Sequence, residues 1–310
     1  DATKGWLPVS DDAVAFDHTP PPTQKALFGF GTSGSNVSMT NLVSSSGVVA
    51  TDVTGVGTAR QALAAAGYGG DKAIFGYGDS GSESATAITN LVTNVGVVAT
   101  DTSGVGTARY FLAAASYGTD KAIFGYGLTS GSFSLTNLVS SSGVVATDTT
   151  GVGTARNSLA ATGYGTDKAI FGYGQTSTYV SMTNLVNSSG VVASDVSGVG
   201  TARNVLAAAT YGSAGQAIFA YGYNGSYLSM SNLISNSGVV ASDVSGVGTA
   251  RGYLAASGYG GDKAIFGYGW TGSYHSITNL ISNSGVVASD VTGVGTARYG
   301  LGAAGYSITA

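Results

Sequence analysis

The sequence predicts an all-β fold of six repeats closed into a ring, and three observations carry that prediction. The motif GVGTAR recurs six times, ending at Arg60, Arg109, Arg156, Arg203, Arg251 and Arg298. The mean period is about 48 residues, the range of propellers and solenoids. A second motif, KAIFGYG, starts at Lys72, Lys121, Lys168 and Lys263, with the variants QAIFAYG at Gln216 and KALFGFG at Lys25. The two ends of the pattern are complementary. The copy at Lys25 has no GVGTAR ahead of it, and the GVGTAR at Arg298 has no KAIFGYG behind it. An open solenoid carries distinct polar caps. Complementary half-repeats indicate a ring in which the C-terminal strand pairs into the N-terminal unit.

Taken in order, each repeat reads as four strands. The segment RQALAAAGYG is too short and too closely bounded by glycine to be a helix, so it is a strand of small side chains. KAIFGYG alternates, with Ala73, Phe75 and Tyr77 on one face and Ile74, Gly76 and Gly78 on the other. A third strand lies around TNLVS and a fourth at GVVAT, both β-branched. A turn at Asp71-Lys72, a variable loop, an SSSG turn and the GVG loop join them. Residues 25–310 form one domain, preceded by an arm of residues 1–24.

The run GTARQALAAAGYGGDKAIFGYG resembles the first half of a kelch repeat, with an Arg ahead of a small inner strand and a hydrophobic strand ending in glycines. The resemblance covers all six repeats. It implies a six-bladed, kelch-like β-propeller with four-stranded blades. The sequence departs from kelch in having GYG for adjacent glycines, and NLV and GVVA where kelch has spaced Tyr and Trp. In such a ring the Ala/Gly strand suits the crowded axis. Phe75, Tyr77 and their equivalents fill the space between blades.

Charge is scarce, at 9% of residues against roughly 25% in ordinary soluble domains, and most of it is locked to the repeat. Asp52, Asp101, Asp148, Asp195, Asp243 and Asp290 each stand eight residues before an Arg of the motif. Six identical ion sites is one reading. The reading adopted is a structural charge ring, in which Asp caps its own loop through an Asx-turn and Arg pairs with a neighbouring loop. A Ca²⁺ site needs about 6 to 8 oxygens, and DVTGVG offers one carboxylate. No metal or cofactor is expected. A net charge of −4 with few cations argues against nucleic acid. No apolar run reaches the ~18 residues of a membrane span.

Catalytic material is thin. There is no Cys, and the only histidines are His18 and His275. Asp79 and Glu83 share a loop and are the one candidate acid/base pair. No catalytic residue is assigned. The loop after GYG varies while the strands are copied: TSGSNVSM, DSGSESAT, LTSGSFSL, QTSTYVSM, YNGSYLSM and WTGSYHSI. Phe133, Tyr179, Tyr223, Tyr227, Trp270 and Tyr274 lie in these loops among Ser, Gly and Asn, the composition of binding loops. A second variable pair follows each Arg, as at Gln61-Ala62, Tyr110-Phe111, Asn157-Ser158 and Gly252-Tyr253, near one mouth of the channel.

The arm carries Trp6 and Phe16, and Pro20–Pro22 read as a stiff linker. It is expected to dock, on its own ring or on a partner subunit. The function expected is a non-enzymatic structural or recognition protein at an extracellular or virion surface, resembling loosely the kelch-like repeats of phage structural proteins. Its partners are subunits of an assembly, or a surface receptor or glycan. A carbohydrate-binding propeller is the alternative, and a hydrolase or lyase on the same scaffold is a third.

Overall fold

The structure is a computed structural model and describes residues 23–310. Its strands, in chain order, are β1 (Lys25–Gly29), β2 (Thr40–Val43), β3 (Ala64–Tyr68), β4 (Lys72–Gly76), β5 (Thr89–Val92), β6 (Ala113–Tyr117), β7 (Lys121–Gly125), β8 (Thr136–Val139) and β9 (Ala160–Tyr164). They continue as β10 (Lys168–Gly172), β11 (Thr183–Val186), β12 (Ala207–Tyr211), β13 (Gln216–Tyr223), β14 (Tyr227–Ile234), β15 (Ala255–Tyr259), β16 (Lys263–Trp270), β17 (Tyr274–Ile281) and β18 (Gly302–Tyr306).

They form six three-stranded antiparallel sheets. Five are consecutive in sequence. The sixth joins β18 to β1 and β2, with Lys25 opposite Tyr306 and Gly29 opposite Gly302. The chain's two ends thus complete one sheet, as the complementary half-repeats predict. The fourth expected strand is not a regular one. Residues 48–53 run beside β2 but are held by two isolated bridges, Val43 with Val49 and Thr40 with Val53. The two bridges differ by one residue in register, so the segment bulges between them. The Asn41 side chain fills the gap by donating to the Ala50 carbonyl at 3.0 Å.

The Ala/Gly strands lie side by side, β3 against β6, then β9, β12, β15, β18 and back to β3. Two cycles of backbone hydrogen bonds link the sheets in the same order. At one end Phe111 donates to Ala62, Ser158 to Phe111, Val205 to Ser158, Tyr253 to Val205, Gly300 to Tyr253 and Ala62 to Gly300, all at 2.7–2.9 Å. The first five of these donors and the sixth residue, Ala62, all take a left-handed φ of 47–65°, unusual for side chains other than Gly. At the other end each strand-to-strand turn donates to the next, as Gly69 to Asp120 and Gly118 to Asp167, both 2.7 Å. The break between the chain's ends falls in this second cycle. There Gln24 donates to Ser307 across the nick at 2.7 Å, and Ser307 in turn donates to Asp71.

The core between sheets corrects the alternation read from KAIFGYG. Phe75 packs with Ala73 toward the β1 sheet, against Phe30. Tyr77 joins Ile74 on the opposite side, against Phe124 of the next sheet. The reason is a left-handed φ of 64° at Tyr77, which re-aims the side chain as a bulge does. The glycine before the Tyr leaves room for the incoming Phe: a Cβ on Gly76 would lie 2.7 Å from the tip of Phe124. The β13 sheet carries Ala220 at that place. There the ring separation opens to 5.6 Å for Tyr221–Phe266, from 5.1 Å for Tyr77–Phe124.

Candidate functional site at the loop end of the sheets

The arginines are the largest fully buried side chains, and each is satisfied within its own sheet. Arg109 donates from Nε to the Tyr126 carbonyl (2.7 Å), from Nη1 to the Thr107 carbonyl (2.9 Å) and from Nη2 to Asn137 Oδ1 (2.7 Å). Its guanidinium also lies 4.4 Å from the centre of the Tyr77 ring of the preceding sheet, a cation–π contact across the interface. Arg60, Arg156, Arg203, Arg251 and Arg298 repeat the arrangement over Phe30, Tyr126, Tyr173, Tyr221 and Tyr268. Burial pulls the guanidinium pKa down, to about 10 in Arg60, which leaves it charged at neutral pH.

Asn137, also fully buried, relays the contact to Asp148 Oδ1 at 2.8 Å. Asp148 accepts further from the Thr107 N–H and hydroxyl, at 3.0 and 2.7 Å. Burial opposes its ionisation, but these hydrogen bonds and the Arg109 charge outweigh burial and hold the carboxyl below its ordinary range. The same holds for Asp52, Asp101, Asp195, Asp243 and Asp290. The Asx-turn expectation is corrected here. Asp52 and Arg60, eight apart, belong to different sheets; Asp101 is the one that meets Thr58 beside Arg60, and Asp52 meets Thr296 beside Arg298. The Asn of each TNLV, SNLI or TNLI segment, six in all, is a partner that the sequence reading leaves out. Its signal was that a polar residue recurs six times at one place in an apolar strand.

The loop end is built differently. In each sheet the first residue of the variable loop bridges the residue after the Arg on one side and a later loop residue on the other. Asn157–Gln175–Tyr179 is one such row. Asn204–Tyr223–Tyr227 and Gly252–Trp270–Tyr274 are others. Inside these rows lies the hydrogen-bonded cycle from Ala62 to Gly300. It surrounds a cavity of about 90 Å³ that all six sheets line, with Leu63, Leu112, Leu159, Leu206, Leu254 and Leu301 beneath. Both variable stretches of the sequence therefore meet at one end, and the pair after each Arg does stand at this opening.

Aromatic rings cluster across the rows. Trp270 meets Tyr274 at 4.9 Å and Tyr299 at 5.3 Å, and Tyr274 stacks on Tyr299 at 5.7 Å and 13°. Tyr253 touches Tyr299, and Phe111 touches Tyr253 across the opening. Tyr223 contacts both Tyr179 and Tyr227. Gly252 lies between the groups, and a Cβ there would come within 3.3 Å of the Tyr227 ring. Of the six expected loop aromatics, five belong to these clusters. Phe133 does not: Ser132 occupies the bridging place taken by Tyr179 elsewhere. Phe133 falls one residue later, so alternation turns it to the other side, where it lines a groove with Leu135, Asp148 and Ala155. Tyr299 was the member not singled out in sequence, although it follows Arg298 as Tyr110 follows Arg109.

Asp79 is buried, accepting from the Gly81 N–H at 2.8 Å, and the charges of Glu83 and Asp79 add to desolvation in pushing the Tyr110 phenol up. His275 Nε2 hydrogen-bonds the Thr271 hydroxyl at 2.7 Å; burial and the Arg251 charge pull its pKa down. Trp6, Phe16 and His18 lie outside the described residues. Among the described residues no cluster of His, Cys, Asp and Glu is arranged to hold a metal. A scan against protein-family models found no match, and a search of curated proteins found none either.

Proposed function

We propose that the six sheets are the blades of a kelch-like β-propeller, each four-stranded when its bridged outer segment is counted. We propose further that the protein is a non-enzymatic recognition module of an extracellular or virion surface, which binds a receptor with its loop end. One observation carries the reading. Positions that vary between repeats come from separate stretches of sequence, yet they converge on one end of a scaffold that is otherwise copied. Copied residues maintain the ring. Residues that differ at one end of it, with large rings among amides and hydroxyls, are arranged as a paratope is.

The opposite end supports a direction of display. Thr23 and Gln24 accept from the Gly261 and Gly260 N–H groups at the turn end, so the chain enters its first sheet away from the loops. The assembly arm of residues 1–24, with Trp6 and Phe16 as its contacts, would leave the loop end outward.

The reading is tested by adhesion to whole cells of labelled wild-type protein and of a Tyr179→Ala/Trp270→Ala/Tyr274→Ala variant that keeps its melting temperature. Adhesion lost in the variant is the expected result. Equal adhesion of both would remove the loop end from the account. Light scattering with negative-stain microscopy of the full chain and of a chain starting at Thr23 tests the arm and the ring. Six-bladed discs, assembled only when the arm is present, are expected.

A further inference from the structure

We infer that the loop end binds a neutral oligosaccharide and discriminates against acidic glycans, an inference that rests on the loop end being the binding surface. The argument starts from where the cations are. All six arginines are fully buried within the sheets. Lys25, Lys72, Lys121, Lys168 and Lys263 each open a strand at the turn end, and four of them sit against the preceding Asp. Among the described residues, no Lys or Arg side chain therefore serves the loop end. Its fixed charges are instead carboxylates, Asp79 and the exposed Glu83 in one loop and the part-exposed Asp52, Asp101, Asp148, Asp195, Asp243 and Asp290 beside the buried arginines. A sialylated, sulfated or phosphorylated ligand brings an anion that needs a charge-assisted donor, and this surface meets it with like charge.

The neutral groups present fit a sugar. The C–H face of a pyranose is apolar and slightly positive, and stacks on the electron-rich face of an aromatic ring. Trp270, Tyr274 and Tyr299 form one ring cluster and Tyr179, Tyr223 and Tyr227 another. Exposed amide and hydroxyl groups stand beside the rings, Asn224 and Ser226 between Tyr223 and Tyr227, and Ser177 and Thr178 before Tyr179. Asn204 donates to Gln175 Oε1 at 2.7 Å and so holds the half-buried Gln175 side chain between the rows of Tyr179 and Tyr223.

Calorimetric titration with chitotetraose and cellotetraose as neutral probes and 3′-sialyllactose as the acidic probe decides the matter. A neutral probe is expected to bind the full chain with little dependence on salt, and 3′-sialyllactose is not. Trp270→Ala is expected to weaken the neutral probe by about tenfold, the loss of one stacking face. A second single change, Tyr223→Ala, removes a ring of the other cluster and should also weaken the neutral probe by about tenfold, the loss of one stacking face. Tighter binding of 3′-sialyllactose than of the neutral probes would overturn the inference. So would silence from both neutral probes while cell adhesion still depends on Tyr179, Trp270 and Tyr274; the loop end would then bind a protein, and the recognition reading would stand. If adhesion is also insensitive to those residues, both fall.

Discussion

Arg109 and Trp270 mark two regions that share one set of strands and obey different rules. Around Arg109 every polar atom has a partner inside the molecule, and the same partners recur six times. Around Trp270 the rings touch one another and stay part-exposed, and no other sheet repeats the arrangement. The first region is closed chemistry, spent on holding the sheets together. The second has interactions left to give. The difference teaches where selection for a fold ends on this molecule and where selection for contact with something else can act.

Four changes break or sharpen this contrast. The largest effect belongs to Arg109→Leu, which takes the donor from the buried Asn137 Oδ1 and from the Tyr126 and Thr107 carbonyls. A loss of about 3–5 kcal/mol is expected, the usual cost of removing one partner of a buried charge network, measured by urea denaturation. A loss no greater than that of a surface residue would show that the network is not what secures the sheet.

Acid should act next, because six carboxylates share one environment. Their native pKa values are depressed, so their contribution is complete above the unfolded value of about 3.9 and disappears as pH falls through the lower native values. Melting temperature should stay level from neutral pH down to about 5 and drop below about 4. A decline centred near pH 6 would assign the acid sensitivity to His275 and not to the Asp ring.

A smaller effect is expected for Gly76→Ala, since Ala220 already occupies the equivalent place. Thermal melts should register about 1 kcal/mol or less, the low end of overpacking costs. A severe loss would mean that the β13 sheet compensates by more than the wider ring separation. The smallest effect on stability should come from Trp270→Ala, within about 1 kcal/mol of wild type. Unfolding of that variant would move Trp270 from the contact surface into the scaffold.

Much of the scaffold was legible before any coordinates. The period, the β character and the joining of the chain's ends all follow from the spacing of Arg60 to Arg298 and from the half-repeats at Lys25 and Arg298. Other features were not. The outer strand was read as regular because Val48 and Val49 are β-branched, yet the Asn41 amide replaces part of its ladder. Tyr77 was placed with Phe75 because alternation assumes an extended backbone, and a left-handed φ breaks that assumption. Phe133 was grouped with Tyr179 because both are loop aromatics, and an offset of one residue sends them to opposite sides.

Local pattern and repetition are one-dimensional properties, and they determined the strands, the number of units and the residues that differ among them. Which Asp meets which Arg is a matter of how far the chain travels before it returns. The answer, the far end of the same sheet and not the Arg eight residues on, came only from the tertiary structure. The same holds for the gathering of Tyr299, Trp270 and Tyr274. Their meeting depends on β15 and β18 standing side by side, so that the loop of one sheet reaches the residue after the Arg of the next.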